Sequence, residues 1–388
     1  MSVTEIAFPL IRSAFSGGEQ DKEKINNLTR DELSELYLLT DDHDIAHIIG
    51  YALSNISVDE NGDIYKKFND KMLLALQRYQ RLNYEILRIY DVFEEAGIPF
   101  IPLKGAVVRS LYPKAWMRTS CDVDVLVHEE DLERAVSLLS QKLGYTTDNK
   151  KGVHDISLYS SGGIHLELHY NIIEDNEELD RVLRRVWDYA SPIKEGKSQC
   201  VLTNEFFLFH IMAHLSYHFL FGGCGIRPFI DLYLIRQKLE IDEEKLMALL
   251  DEANLREFYA NAVALSEVWM LGKEHTDLTL KIESYVVSGG VYGTRENRTL
   301  IQQQKRGGKF RYFIYRVFLP CDKLKYIYPV LQKHPWLTPV MQVRRWFGIV
   351  FGGRLSRSVN ELKVNSSVSK AEAESIRRFL SDVGLEKI

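Results

Sequence analysis

Four cysteines in 388 residues, Cys121, Cys200, Cys224 and Cys321, are too few and too scattered to staple a fold. No CxxC pair occurs among them, which argues against a zinc ribbon as well as a disulfide framework and fits a reducing cytoplasm. Long apolar runs are missing too. No uninterrupted stretch approaches the roughly 20 residues that a bilayer span requires, so no transmembrane segment is expected. Met1 to Phe15 holds one basic side chain, Arg12, beside Glu5, which is not the charged-then-apolar plan of a secretion signal. Internal repeats and low-complexity tracts are absent. The chain is 45% apolar and 27% charged, a composition and length that suit two or three globular domains with a core needing no covalent support. A soluble cytoplasmic protein is the expectation.

Acids are nearly absent from one segment. Lys305 to Arg357 contains twelve Lys or Arg against a single acid, Asp322. That is a net of +11 where the whole chain carries −5, so the remainder sits at −16. The same tract, 305–357, holds eleven aromatics, among them Tyr312, Tyr315, Tyr326, Trp336 and Trp346. Segregated charge of this kind points to an anionic partner. Three readings stay open: a surface for RNA or another anionic acceptor, an interfacial membrane patch, or aromatics that form core with solvated basic residues around them.

Along the chain, residues 1–97 read as a helical domain. Thr29 ahead of Asp31 and Glu32 marks one helix start, Asp41 to Ala52 reads as another helix, and Lys67 to Ala96 is a long amphipathic pattern that Gly97 ends. Residues 98–200 then change character: a short apolar strand (98–103), a helix opened by Lys104-Gly105 and broken at Tyr112-Pro113, a strand at 121–127, a helix at 129–143, and two strands at 154–159 and 164–170 around Ser160-Ser161-Gly162-Gly163. Residues 201–388 are helical again, at 205–220, 228–239, 243–253 and 255–271. The basic tract is cut into short pieces by Pro320, Pro329, Pro335 and Pro339, and a final exposed helix is expected from Ala371 to Leu385.

The chemistry concentrates on Cys121-Asp122-Val123-Asp124-Val125-Leu126-Val127. Residues two apart in a strand share a face, so Asp122 and Asp124 stand together while the valines face the opposite layer. Two ionised carboxylates on a strand built for burial repel each other and lose hydration, unless a cation sits between them. Hard oxygen ligands of this sort suit magnesium. In Ile164-His165-Leu166-Glu167-Leu168-His169-Tyr170, alternation places His165, Glu167 and His169 on one face, and a neighbouring strand would let Glu167 complete the cluster. Three carboxylates at one edge can hold one or two Mg2+ for in-line phosphoryl transfer. A strand entering a glycine at a helix start presents free N–H groups to phosphate, with Lys104 and Arg118 adding positive charge.

Leu103-Lys104-Gly105, Leu111-Tyr112-Pro113, Arg118, Asp122-Val123-Asp124 and Glu167-Leu168-His169 together resemble the uncharacterised nucleotidyltransferases of the DNA polymerase β-like superfamily. The resemblance implies an α+β fold, a small mixed β-sheet with helices behind it, flanked by N-terminal and C-terminal helical domains. It implies Asp122, Asp124 and Glu167 as catalytic metal ligands for Mg2+, two ions in all. Lys104 and Gly105 become the nucleotide-phosphate turn, with Arg118 and Arg227 nucleotide-binding and His169 and Asp231 behind the ligands. It implies transfer of a nucleoside monophosphate from an NTP, ATP among them, to an unknown hydroxyl acceptor: a small molecule, a tRNA or a protein. The likeness extends to His214, Arg227, Asp231 and Gly289-Gly290-Val291-Tyr292-Gly293. The superfamily's usual Gly-Ser is Gly105-Ala106 here, which removes a serine contact to phosphate.

Other readings compete residue by residue. Asp42-His43-Asp44 repeats the Asp-x-Asp spacing, but after Thr40 at an expected helix start its acids serve the helix dipole. His165, Glu167 and His169 can instead ligate zinc or iron, and His210, His214 and His218 line one helix face as a second candidate. Arg227 and Asp231 are spaced as a helix ion pair. A non-catalytic nucleotide- or nucleic-acid-binding protein that keeps the fold is the alternative to an enzyme.

Overall fold

The computed structural model describes residues 2–16, 25, 27–54, 62–152, 154–174, 176–291, 293–305, 307–351 and 370–386. Tyr292 and three of the basic-tract arginines, Arg306, Arg354 and Arg357, lie outside the described residues. Five strands make one mixed sheet: β1 (Phe100–Pro102), β2 (Asp122–Val127), β3 (Thr146–Lys151), β4 (Asp155–Tyr159) and β5 (His165–His169), in the order β1-β2-β5-β4-β3. Only the β2–β5 pair is parallel; β1 joins β2, and β4 joins both β5 and β3, in antiparallel fashion. A two-stranded ribbon, β6 (Ala190–Pro192) with β7 (Cys200–Leu202), follows. Helices flank both, and the fold is α+β with a small mixed sheet, as expected.

The alternation in β2 sorts its side chains into two layers. Val123, Val125 and Val127 are buried with Leu166 and Leu168 of β5 against Ile86, Ile89 and Phe93 of the Gly62–Ala96 helix and Leu139 of the Leu132–Leu143 helix. Leu126, on the acidic face, belongs instead to the larger cluster. That cluster gathers the Val3–Ser16, Arg30–Asp42 and Ala46–Leu53 helices with Asn204–Leu220, Arg227–Lys238, Glu243–Glu252, Arg256–Leu271 and Asp277–Val287. The 35-residue Gly62–Ala96 helix, about 52 Å long, serves both clusters: Ile64 and Phe68 enter the larger one and Leu82 to Phe93 back the sheet. Gly97 ends it at φ +64°, a left-handed turn that glycine adopts without steric cost.

Two expectations are corrected. The segment from Asp41 does not open a helix. Thr29 and Glu32 form a capping box that starts the Arg30–Asp42 helix upstream, and the Thr40 hydroxyl donates back to the Leu36 carbonyl as an interior residue does. Asp42 therefore closes that helix, Asp44 sits at φ +52°, and the next helix begins at Ala46. The final helix, Lys370–Asp382, is not wholly exposed: Leu380 and Val383 are buried, and Phe379 packs on Phe219 and Tyr285. The prolines do divide the basic tract, by starting elements. Pro320 and Pro329 precede Cys321–Ile327 and Val330–Lys333, and Pro339 sits in the first turn of Thr338–Phe351.

The glycine loop before the Arg295–Lys305 helix is a crossing point. Val291 donates its N–H to the Asp42 carbonyl, and Gly293, at φ +70°, lies directly on the Gly222-Gly223 backbone. A Cβ on Gly293 would come within 2.2 Å of the Gly222 carbonyl. Backbone cannot yield as a flexible side chain does, so Gly293→Ala is expected to cost roughly 2 kcal/mol or more. Chemical denaturation checks this; a midpoint equal to wild type would contradict it.

Candidate functional site

The parallel register of β2 and β5 sets Asp122 opposite His165, Asp124 opposite Glu167, and Leu126 opposite His169. Parallel partners share a face, so the two aspartates and the glutamate converge. Among the described residues two groups bring ligand atoms within 4.8 Å of one another: Asp122 with His165 and Glu167, and Asp124 with Glu167 and His169. Glu167 is common to both. The histidines do not form a set of their own with Glu167, because each trio includes one aspartate.

Burial sharpens the electrostatics. Asp124 is 8% exposed and His169 3%. His169 Nε2 lies 3.0 Å from Asp124 Oδ1 and 3.6 Å from Glu167 Oε2, while Lys104 Nζ stands 3.7 Å from Asp124 Oδ1. Burial alone would raise the Asp124 carboxyl, but Lys104 and the hydrogen bond from His169 outweigh it and hold the group well below the usual carboxylate range. Burial opposes the His169 imidazolium as well, and the bonds to Asp124 and Glu167 overcome it, raising its pKa to about 9. For Asp122 the balance reverses: burial, then repulsion from Asp124 and Glu167, pushes its carboxyl up against the pull of Lys104 and His165. A site whose outer carboxylate is crowded by two others is one that a divalent cation would relieve, and the oxygen-rich donor set fits Mg2+. Behind it, His169 Nδ1 is buried with no hydrogen-bond partner among the described residues, and the His154 ring stacks on the imidazole at 5.6 Å.

The turn after β1 is strained. Lys104 takes φ +40° and ψ −110°, a region that L-residues with a Cβ rarely enter. Leu103 donates its N–H to the Asp124 carbonyl, which ties the turn to the acidic strand. Gly105 begins a four-residue helix, Gly105–Val108, and sits above Arg118 Nη1 and Ser120. Beneath it, buried Arg109 donates to the Gly105 carbonyl at 2.9 Å and to Ser120 Oγ at 2.9 Å.

Arg118 and Arg227 are already engaged. Arg118 reaches both oxygens of Asp231, with Nε at 3.0 Å from each and Nη2 2.9 Å from Oδ2. The Tyr112 hydroxyl donates to the same carboxylate at 2.7 Å. Arg227 does not pair with Asp231 along its helix. Its Nη1 bonds Asp44 Oδ2 and the Thr119 carbonyl, both at 3.1 Å. Asp44 also accepts from Thr119 Oγ1 at 2.7 Å, so the second Asp-x-Asp copy is no helix cap: one of its acids holds the floor of the turn.

A model of a family of uncharacterised nucleotidyltransferases matches residues 29–271, more than half of the chain. The chain belongs to this family. The match begins at the capping Thr29 and ends with the Arg256–Leu271 helix, so it takes in the sheet, the acidic cluster and the helices that meet its face. No curated protein and no solved structure matches.

In this member of the family, reading the sequence missed one side of the site. Glu174, just past β5, is nearly buried and sits 2.7 Å from His214 Nδ1, and His214 Nε2 lies 3.0 Å from His218 Nε2. Burial raises the Glu174 carboxyl against the pull of Lys104. Burial, then Lys104, lowers both His210, to about 3, and His214, while burial and then His214 take His218 to about 3. Burial thus disfavours the imidazolium form of all three, and among the described residues they do not gather into a three-ligand group. Nothing in the spacing of Glu174 marks it; only the return of the chain after β5 brings it under the Asn204–Leu220 helix.

Two outcomes are expected from these contacts. Lys104→Gly should be more stable than Lys104→Ala by about 1 kcal/mol, since both lose the ammonium and only glycine accepts the backbone angle. Equal urea midpoints would remove the strain. The His169 charge gives a pH signature. With its pKa raised from 6.5 to about 9 in the folded chain, its stabilisation is complete below 6.5 and is lost as pH climbs through 9. In chelator, wild type should therefore lose on the order of 3 kcal/mol more than His169→Gln over that window. Parallel stability curves would contradict it.

Proposed function

We propose that this chain transfers a nucleoside monophosphate from an NTP, ATP among the candidates, to a hydroxyl acceptor and releases pyrophosphate. The observation that supports it best is the gathering of Asp122, Asp124 and Glu167 on one edge of the sheet beside the Lys104-Gly105 turn. Membership of a family of uncharacterised nucleotidyltransferases supports the reaction class. Asp122, Asp124 and Glu167 would hold Mg2+, two ions being the expectation, with His165 and His169 at the margins of the two trios. When bound, the metal supplies positive charge to the triphosphate and acidifies the acceptor hydroxyl.

The chain's own residues do the rest. Asp124, locked between Lys104 and His169, is held toward its ionised form and fixes one side of the site. His169 fixes Asp124 through the hydrogen bond, and Glu174 with His214 closes the cluster from the helix side. Glu167, its side chain 28% exposed, is the carboxylate best placed to receive the acceptor's proton. The acceptor oxygen then bonds to the α-phosphorus while the bond to the bridging oxygen breaks and pyrophosphate departs. Lys104 adds charge at the phosphate side, and the Gly105 backbone allows close approach. Arg118 and Arg227, with hydrogen bonds committed to Asp231, Asp44 and Thr119, contribute positive field from beneath the turn. The Asp231 carboxylate keeps Arg118 in place. The acceptor's class, small molecule, tRNA or protein, is decided by the test below. The cytoplasm, where NTPs abound and four free cysteines persist, is the compartment we assign.

A second reading has its own observation: Lys104 and His169 already neutralise Asp124 without a metal. A binding protein that keeps the fold but not the reaction would look this way. Cell extract incubated with each labelled NTP and Mg2+ separates the two. The nucleotidyltransferase reading expects a labelled acceptor with wild type and loss of at least about a thousandfold with Asp124→Ala, the fold remaining intact by circular dichroism. Label transferred equally by the variant would overturn it, and NTP bound but never transferred would favour the binding protein.

A further inference from the structure

The basic tract displays its apolar side chains outward. Among the described residues, eleven of the 21 exposed large apolar side chains fall within 310–351. Phe310, Trp336 and Phe351 are 75%, 73% and 79% exposed. Such density on a soluble surface needs a cause. The Thr338–Phe351 helix shows that the arrangement is built. Its inward side spends its polar groups on hydrogen bonds, beside Met341 and Ile349: Gln342 donates to the Leu319 carbonyl, Arg345 donates to the carbonyls of Arg316 and Val317, and Trp346 Nε1 donates to Val317 at 2.9 Å. Its outward side carries Val340, Val343, Phe347 and Phe351, at the spacing of one helical stripe, with the last two rings stacked at 5.9 Å. Four large apolar side chains in one outward stripe, with Arg344 exposed among them, is not the make-up of an ordinary water-facing helix.

We propose that this face docks on an anionic lipid surface. The proposal stands apart from the nucleotidyl-transfer reading and does not need it. The charge is complementary, +11 across 305–357 within a chain of −5. The chemistry of the stripe separates lipid from nucleic acid. Bases are bound by stacking on flat aromatic faces, and Val340, Val343, Ile327 and Val330 offer none, whereas acyl chains accept aliphatic and phenyl groups alike. Phe and Trp beside Lys and Arg on short helices is the make-up of an interfacial anchor. No helix among the described residues is long and apolar enough to cross a bilayer, so the contact lies in the interface.

The test is co-sedimentation of the full chain with phosphatidylcholine vesicles, with and without phosphatidylglycerol, at low and high salt. Wild type is expected to sediment with the anionic vesicles, weakly with the neutral ones, and less as salt rises. Phe347→Ser with Phe351→Ser should weaken binding at least about tenfold, two phenyl groups being lost to the interface. Arg311→Glu with Lys333→Glu, which lowers the tract from +11 to +7, should weaken the preference for anionic lipid. All four positions are exposed, so circular dichroism should show every variant folded. No sedimentation of wild type overturns the proposal. So does binding to single-stranded RNA without binding to vesicles, or a dimer that the two serines dissolve while vesicles are ignored.

Discussion

Three carboxylates crowd one edge of a five-stranded sheet, and their mutual repulsion is the constraint around which the rest of the molecule is organised. Asp124 is buried and ionised, which is tolerable only because Lys104 and His169 both face it. Each of those partners carries a cost of its own. Lys104 occupies a backbone region that disfavours any side chain, and His169 keeps a buried nitrogen without a partner among the described residues. Strain and an orphaned polar atom persist where the surroundings over-determine them, and functional sites are where they cluster.

The surroundings here come from every part of the chain. Asp44, between two N-terminal helices, fixes Arg227 and Thr119; Asp231, on a C-terminal helix, fixes Arg118 and Tyr112. The turn at Lys104-Gly105 therefore rests on ion pairs that cross from one end of the sequence to the other. The larger apolar cluster does the same with hydrocarbon, joining the first three helices to those after Thr203. Removing one member of the Arg118–Asp231 pair would leave a buried charge alone, a penalty of about 3–5 kcal/mol, so these residues hold geometry as well as field.

Much of this was legible in the sequence because strand alternation is strict. The period of two put Asp122 and Asp124 on one face and the valines on the other, and the same period picked Glu167 from β5. The helix end at Gly97 was legible through glycine's left-handed turn. What stayed hidden depends on tertiary closure. Glu174 carries no local signal, and β3, β6 and β7 are short or polar strands whose pairing is supplied by neighbours. Asp44 was misread because its spacing suggested a cap, whereas the capping box at Thr29 had already set the helix start about three turns upstream. Arg227 and Asp231, four apart on one helix, turned to different partners because a buried arginine and a buried tyrosine competed for the same carboxylate. The basic tract was open to three readings, and a sequence does not state that so many of its large apolar side chains face outward.

The most direct test of the account is a Mn2+ titration followed by electron paramagnetic resonance, with a non-hydrolysable NTP analogue present, on wild type and on Asp122→Asn, Asp124→Asn and Glu167→Gln. Stoichiometric binding by wild type, weakened in all three variants, is the result predicted from carboxylates that share a cation. Wild type that takes up no manganese, or three variants that bind it as well as wild type, would contradict it.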